Sequence, residues 1–372
     1  MALGVVAVVG GLSACGSSSS SSTSTTSAAS STQASSDSSA VGAAKAAVAK
    51  YSKAPTPIQL PAVGKPIPKN VRLTVLSVAT PSIQYLNNGV TSAAKALGWS
   101  AKVVTPQLTP EAYGSALSSI IQQKPTALIF FTPFPLSSFD AQLHKLKAEG
   151  VPVITAGAAD YPVGGSSPVV ADTSGANIFG PLATLMAQTI AADTGSAPHA
   201  AWVVDPSVPA WHTMTAHFKA EIDAAGGKFY ELDVPEASIG KDAPHRIVSF
   251  LQAHPDVKHV SLVVGAYDLG LQQALAAAGL AGKVKISDTD ANPQDIAAIK
   301  SGQLFATIAL ETYNGGWRLV DLMARTLAHA PLPYVHAPSA FLVVTKANVG
   351  LANDIAHFPH QTSVFLKAWG KS

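Results

Sequence analysis

Eleven short apolar runs recur between Leu73 and Thr345, and they limit the possible fold more than any other feature of this sequence. Each run has four to seven residues, and most are rich in Val or Ile. The runs are Leu73–Ala79, Ala101–Thr105, Ala127–Phe131, Val151–Thr155, Val169–Asp172, Ala200–Asp205, Phe229–Val234, Val260–Ala266, Val284–Asp288, Phe305–Leu310 and Phe341–Thr345. Runs of this length and composition are typical of strands that are buried on both faces of a parallel sheet.

Helical patterns lie between these runs. Apolar residues fall on one helical face from Val90 to Leu97, from Tyr113 to Ile121 and from Leu271 to Ala278. Thr109 and Asn292 each precede a proline, which is the arrangement of a capping side chain before a first helical turn. Alternating strands and helices predict an α/β fold, and the chain is long enough for two doubly wound lobes. A ligand would then bind beyond the carboxyl ends of the strands, in a cleft between the lobes.

Composition excludes several classes of function. The formal net charge of +2 argues against a nucleic-acid partner, which requires a basic surface. A single cysteine can form neither a disulfide framework nor a cysteine-based zinc site, and the eleven histidines do not have the spacing of a zinc enzyme. No phosphate-binding loop and no G-x-G-x-x-G motif occurs. We therefore predict no metal, no cofactor and no enzymatic activity.

The first 15 residues have the features of a lipoprotein signal. Residues Ala2 to Ala14 are apolar or small, and this run is too short to span a bilayer. Leu12–Cys15 resembles a bacterial lipobox, in which the chain is cut before the cysteine and the thiol is then acylated. We therefore predict a signal over residues 1–15 and an extracytoplasmic protein that is anchored to the membrane through lipid on Cys15.

The segment that follows is dominated by small polar residues. Ser or Thr occupies 18 of the 25 positions from Gly16 to Ala40, too few apolar side chains for a folded core. We predict a disordered tether over residues 16–50 that ends in a short Ala/Lys-rich helix from Val41 to Tyr51. A proline-rich arm over residues 51–70 is predicted to be extended.

Several segments resemble the ribose-type periplasmic binding proteins, the sugar-binding subunits of ABC importers. The segments are GVTSAAKALGW at Gly89–Trp99, the strand region Gln122–Phe131 followed by GVPVIT at Gly150–Thr155, GLQQALAAAG at Gly270–Gly279, and IKSGQLFATI at Ile299–Ile308. Together they cover about Val71 to Pro331 in the order of that family. The resemblance implies two Rossmann-like lobes of the type 1 fold, joined by a hinge of crossover segments. It assigns residues 71–174 and 311–335 to the N-terminal lobe, and residues 175–310 and 336–372 to the C-terminal lobe.

Most positions that bind the sugar in that family hold other residue types here. Ser82 and Ile83 replace paired aromatic residues, Gly157 and Ala158 replace an Asp-Arg pair, His212 replaces an Arg, and Val264 and Gly265 replace an Asn-Asp pair. Asp290 keeps the family's residue type. A buried sugar hydroxyl without a partner costs about 1–3 kcal/mol, so these losses predict a ligand other than a ribose-like pentose, one that is sugar-like or partly apolar or aromatic.

Candidate ligand-binding residues follow the predicted strands, where loops end at the cleft. They are Thr80, Ser82, Gln84, Tyr85, Phe131, Phe134, Trp211, His212, Tyr267, Asp268, Asp290, Glu311 and Tyr313. Aromatic rings would supply apolar walls, and the polar groups would fix the orientation of the ligand. The alternatives are that the aromatic residues belong to the lobe cores, that Asp290 caps a helix, and that Glu311 hydrogen-bonds hinge amides.

The predicted function is that of a monomeric solute-binding lipoprotein that closes on a small molecule and delivers it to the permease of an ABC transporter. A binding module that reports a ligand to a membrane receptor or kinase is the alternative. An extracytoplasmic enzyme is a third possibility, but the sequence shows no nucleophile–base pair and no metal cluster to support it.

Overall fold

The computed structural model describes residues 26–56, 58–156, 161–173, 178–289, 291–334, 340–352 and 361–371. The first half of the chain forms α1 (Thr26–Tyr51), β1 (Arg72–Leu76), α2 (Pro81–Leu97), β2 (Ser100–Val104), α3 (Pro110–Gln122), β3 (Ala127–Phe131), α4 (Asp140–Ala148), β4 (Val153–Ala156) and β5 (Val169–Asp172). The second half forms α5 (Phe179–Thr194), β6 (His199–Val204), α6 (Pro209–Ala224), β7 (Lys228–Asp233), α7 (Ala243–Ala253), β8 (His259–Leu262), α8 (Leu271–Ala277), β9 (Lys285–Thr289), α9 (Pro293–Ser301), β10 (Ala306–Leu310), α10 (Thr312–Leu327), β11 (Phe341–Thr345) and α11 (Gln361–Ala368).

The strands form two sheets, one in each lobe. The first has the order β2-β1-β3-β4-β5 and the second the order β11-β10-β9-β8-β6-β7. Every pairing is parallel except that of β11 with β10, where Phe341 lies opposite Leu310. β11 is antiparallel to β10 because the chain enters β11 at the hinge, where β10 ends. Each predicted apolar run overlaps one strand, and the predicted fold class is confirmed.

Both faces of the first sheet are buried at its inner strands. Successive residues of β3 join different cores: Ile129 packs with the residues of α2 and α10, whereas Phe130 packs with those of α3 and α4. This alternation explains why the strand sequences are apolar throughout rather than at every second position. The second lobe has its own core, which includes Trp202, Phe218 and Leu342.

The helices α2 and α10 cross at unusually short range, and two glycines make the crossing possible. A Cβ atom on Gly316 would lie 2.5 Å from the backbone nitrogen of Val90 and even closer to the carbonyl oxygen of Leu86. A Cβ atom on Gly89 would overlap the carbonyl oxygen of Tyr313. Helix α10 is thereby fixed to the first lobe, directly after the last parallel strand of the second.

The N-terminal segment differs from the predicted tether. Helix α1 occupies Thr26–Tyr51 instead of beginning at Val41. Val41 and Ala44 are buried against Ala191 and Ala225 of the second lobe, and Tyr51 also packs on that lobe's core. The apolar residues near the end of α1 therefore hold it on the second lobe. The prediction of a tether considered the serine content alone. Cys15 and the predicted signal lie outside the described residues.

The C-terminal helix α11 packs on the first lobe, whereas the predicted domain division places it in the second. The resemblance assigns residues 336–372 to the second lobe, but Phe365, Ala368 and Trp369 belong to the core that α2 and α10 share in the first lobe. The Trp369 indole stacks on Trp317 at a centroid distance of 5.5 Å. Aromatic burial against α10 therefore brings the end of the chain back to the first lobe after β11.

Candidate functional site

The three connections between the lobes all reach the carboxyl edges of the sheets. β5 ends at Asp172, and the chain next enters α5 of the second lobe. β10 ends at Leu310 and is followed at once by α10 of the first lobe; α10 then leads back to β11, whose first residue pairs with Leu310. The carboxyl edges of both sheets therefore face the junction of the lobes. Because ligands bind at this edge in open α/β sheets, the candidate site lies between the lobes.

Glu311 lies at the centre of this junction and is almost fully buried, with 3% of its surface exposed. Its Oε1 atom accepts hydrogen bonds from Nη2 of Arg318 and, at 3.0 Å, from the backbone nitrogen of Ala340. One carboxylate thus joins the β10–α10 crossover to the α10–β11 crossover. Burial raises the pKa of Glu311, which Arg318 opposes. The Oε2 atom is buried and has no hydrogen-bond partner among the described residues.

The first lobe places four candidates at the ends of β1 and β3, which are adjacent strands. Thr80 is exposed and forms the N-cap position of α2, and Tyr85 is half-buried in its second turn. Phe131 and Phe134 are half-buried, and Phe134 meets the Tyr113 ring edge-on at 5.4 Å. The structure therefore places partly exposed aromatic rings after two adjacent strands, at one edge of the sheet.

Three further candidates lie on α2 and α10. Gln84 is exposed and donates a hydrogen bond to Oδ1 of Asn88 on the same helix. Ser82 belongs to the first turn of α2, but its side chain lies outside what the structure describes. Tyr313 is half-buried in the first turn of α10, two residues beyond Glu311.

In the second lobe, two of the predicted aromatic residues are core residues. Tyr267 is fully buried, and its hydroxyl donates to the carbonyl oxygen of Val234 at 2.6 Å. Burial raises the pKa of that hydroxyl, so it stays protonated and keeps this bond. Trp211 is 8% exposed and packs in the same core. Their surroundings favour the alternative considered for them, because a ring that is already surrounded by protein has little surface to offer a ligand.

The polar candidates of the second lobe are closer to solvent. Asp268 is half-buried, burial raises its pKa to about 6, and it accepts a hydrogen bond from Gln272 at 2.8 Å. His212 is exposed, and its Nε2 atom lies 2.7 Å from the carbonyl oxygen of Pro206. Asp290 lies outside the described residues, as do Gly157 and Ala158.

Two carboxylates that sequence reasoning missed lie at the same edge. Asp205 directly follows β6 and accepts hydrogen bonds from the backbone nitrogens of Ser207 and Glu236, at 2.9 and 2.8 Å. Burial acts to raise the pKa of Asp205, but these hydrogen bonds lower it below its usual value. Burial raises the pKa of Glu236, and the charge of Asp205 adds to this effect. Their position directly after β6 and β7, next to prolines, was a signal that the sequence contained.

Gly265 stands at one of the positions where the ribose-type proteins have an Asn-Asp pair. A Cβ atom there would lie 2.8 Å from Oδ2 of Asp295 and 3.0 Å from Nδ2 of Asn292. Asn292 caps α9 by accepting from the nitrogens of Gln294 and Asp295, while Asp295 accepts from the nitrogen of Asn292. The reciprocal cap therefore occupies the space that a residue larger than glycine would need.

The edge as a whole is acidic on the second-lobe side. Asp205, Glu236 and Asp268 carry carboxylates there, and Lys241 is an exposed cation in the same loops. An anionic ligand would be repelled by this edge, whereas hydroxyl groups can donate hydrogen bonds to it. Across the described ranges, no group of three or more His, Cys, Asp or Glu residues is placed to hold a metal ion. Among those same residues, no helix combines the length and apolar character that a membrane crossing demands.

Several solved structures of similar fold are named as sugar-binding or sugar-transport proteins. A periplasmic ribose ABC transporter protein from Conexibacter woesei is 20% identical, with a TM-score of 0.67 over 78% of this chain and 96% of the other. A glucose–galactose binding protein from Geobacillus stearothermophilus is 20% identical, with a TM-score of 0.65 over 75% of this chain and 99% of the other. At these identities the likeness concerns the fold. A sequence search of curated proteins finds no match.

The family itself is identified by sequence. The family model described as a periplasmic binding protein domain matches residues 74–331, which is more than two thirds of the chain. This range agrees with the resemblance traced from Val71 to Pro331, which is thereby confirmed. Members of this family are binding proteins rather than enzymes, and they act outside the cytoplasm. With its two doubly wound lobes and a hinge at their carboxyl edges, the chain belongs to the periplasmic binding protein family.

Proposed function

We propose that this protein is a monomeric solute-binding protein that captures a sugar-like ligand between its lobes and delivers it to the permease of an ABC transporter. The observation that supports this function most directly is the meeting of two carboxyl sheet edges at a hinge that contains Glu311. The lobes would rotate about the crossovers, and ligand contacts to both lobes would favour the closed form. Similar folds bind ribose, glucose and galactose, according to the names of those proteins.

The residues at the two edges indicate the kind of ligand. The first lobe offers the half-buried rings of Tyr85, Phe131 and Phe134, and the second offers the carboxylates of Asp205 and Asp268. A ligand with one apolar face and several hydroxyl groups would satisfy both edges, because aromatic rings bind apolar faces and carboxylates accept from hydroxyls. A simple pentose has less apolar surface to place against these rings.

Calorimetric titration with D-ribose, D-glucose and phenyl β-D-glucoside tests this ligand class. We expect the aryl glycoside to bind most tightly, and we expect Tyr85→Ala to weaken its binding by about tenfold, since a lost ring contact is worth about 1 kcal/mol or more. Tyr230→Ala is the matched control, because Tyr230 is half-buried on β7 beside His254, with a centroid distance of 5.0 Å to that ring. Sub-micromolar binding of D-ribose, or equal losses in the two variants, would contradict the assignment.

X-ray scattering tests the closing motion and the oligomeric state together. The radius of gyration should fall when a bound glycoside saturates the protein, and the forward scattering should give the mass of one chain. A radius of gyration that stays constant with every bound ligand would exclude closure of the lobes.

We also propose that lipid on Cys15 anchors the protein to the membrane. In Cys15→Ser the acceptor thiol is missing, so we expect the protein to move from the membrane fraction to the soluble fraction. Ser17→Ala, two residues away, should stay with the membrane. Detergent-dependent extraction of Cys15→Ser would refute the anchor.

A further inference from the structure

The N-terminal part of the described chain contacts both lobes. On the second lobe, Val41 and Ala44 of α1 are buried, and the Tyr51 ring meets Phe341 edge-on at 6.3 Å. The carbonyl oxygen of Ser52 accepts a hydrogen bond from Nδ2 of Asn348 at 2.8 Å. The segment from Val41 to Ser52 is therefore fixed to the second lobe, and we name it the first anchor.

A second anchor follows within a few residues and lies on the first lobe. It consists of residues 58–68, in which Val63 is buried and donates its backbone N–H to the carbonyl oxygen of Ala368 at 2.9 Å. The carbonyl oxygen of Pro61 accepts from Nη2 of Arg325 at 2.6 Å, and that of Pro68 accepts from Nε1 of Trp99 at 2.8 Å. These hydrogen bonds, a further one from Nζ of Lys65 to the carbonyl oxygen of His329, and the buried side chain of Val63 hold this segment.

The covalent link between the two anchors is short. Five residues, with the sequence KAPTP, separate Ser52 from Ile58. Six Cα–Cα steps span about 20 Å at most, even when the chain is fully extended. Proline restricts the backbone further, so a link of this composition is stiff.

The second anchor lies away from the hinge, and the first extends outwards from it. Arg325 is 14 residues beyond Glu311 along α10, which places it about 20 Å from the crossover. In the first anchor, Tyr51 meets Phe341 at the crossover, whereas Asn348, which binds Ser52, follows the end of β11 at Thr345, opposite Ala306. When two bodies rotate about a hinge, the separation of points away from the axis changes. A short link between such points must therefore oppose part of the rotation.

We propose that the two anchors and their link form a fourth connection between the lobes, which limits the range of the hinge motion. The three crossovers define where the lobes rotate, and this connection defines how far they rotate. It acts whether or not a ligand is present. Its test therefore gives an answer even if the ligand class proposed above is wrong.

Pulsed electron paramagnetic resonance of the ligand-free, full-length chain measures this range. Spin labels are placed on Lys145→Cys in the first lobe and Lys283→Cys in the second, both exposed positions, with Cys15→Ser removing the native thiol. Insertion of Gly-Ser-Gly-Ser-Gly-Ser between Lys53 and Ala54 should broaden the distribution of interlobe distances. The same insertion between Ser24 and Thr25, upstream of α1, should leave the distribution unchanged.

A cleavable variant distinguishes the loss of the link from misfolding caused by the insertion. A site-specific protease sequence replaces the Gly-Ser insert, and the chain is cut after it has folded. We expect the distribution to broaden further on cutting. Identical distributions in the parent, inserted and cut proteins, with the melting temperature retained, would overturn the proposal; so would equal broadening by the upstream insertion.

Discussion

Replacing Arg325 with Met should lower the free energy of unfolding by about 3–5 kcal/mol, as the loss of one partner from a buried ion pair does. Arg325 and Asp321 are 1% and 0% exposed, and Nε of Arg325 donates to Oδ2 of Asp321 at 2.9 Å. The substitution leaves the Asp321 carboxylate buried with the Trp369 indole N–H, 2.8 Å away, as its remaining side-chain donor in the described contacts. It also removes the hydrogen bond to Pro61. Chemical denaturation followed by fluorescence measures the loss.

The chain contains an exposed pair of the same geometry, which serves as the control. Arg246 donates from Nε to Oδ2 of Asp242, the N-cap residue of α7 four positions earlier, at 2.7 Å, but both side chains are about half exposed. Arg246→Met should cost less than about 1 kcal/mol, because water solvates the remaining carboxylate. Equal losses in the two variants would show that burial does not determine the contribution of the Arg325 pair.

Gly316→Ala should destabilise the first lobe by about 3 kcal/mol, at the upper end of what overpacking costs. The added Cβ atom would meet the backbone of Leu86, Gly89 and Val90, with contacts of 2.5 Å to the nitrogen of Val90 and 2.7 Å to the carbonyl carbon of Gly89. Backbone atoms of a packed helix cannot rotate away as a side chain can, so α2 and α10 must separate. Thermal unfolding monitored by circular dichroism measures the effect.

Gly114→Ala is the matched control for this substitution. Gly114 lies inside α3, and the nearest atom to an added Cβ atom is Nε2 of Gln142 at 3.9 Å. Alanine has the higher helix propensity, so this variant should gain about 0.5–1 kcal/mol of stability. Opposite signs for the two glycines are the expected result, and a stabilised Gly316→Ala would contradict the close crossing.

Local patterns were sufficient to predict the strands and several helix boundaries. Thr109 caps α3 by accepting from the nitrogen of Ala112 at 3.2 Å, and Gly98 ends α2 in the left-handed conformation. These features depend on residues within a few positions of each other, and the sequence displays them directly. The candidate residues at the ends of β1 and β3 were predictable for the same reason, since parallel strands end at one edge.

The functions of individual side chains were harder to predict. Tyr267 and Trp211 have the composition expected of ligand walls, yet both are enclosed by the core of the second lobe. Asp205 and Glu236 were overlooked because neither matches a family position. Their relationship becomes visible only when β6 and β7 pair and bring the two loops together.

The amino-acid sequence alone determined the α/β class, the two lobes and the edge at which a ligand would bind, because burial of strands leaves a short-range apolar pattern. Tertiary structure decided which segments cover those lobes. Pro61 and Arg325 are 264 residues apart, and Ser52 and Asn348 are 296 apart. Such contacts arise from surfaces that distant segments bury together, so the docking of α1, of residues 58–68 and of α11 is a property of the folded chain.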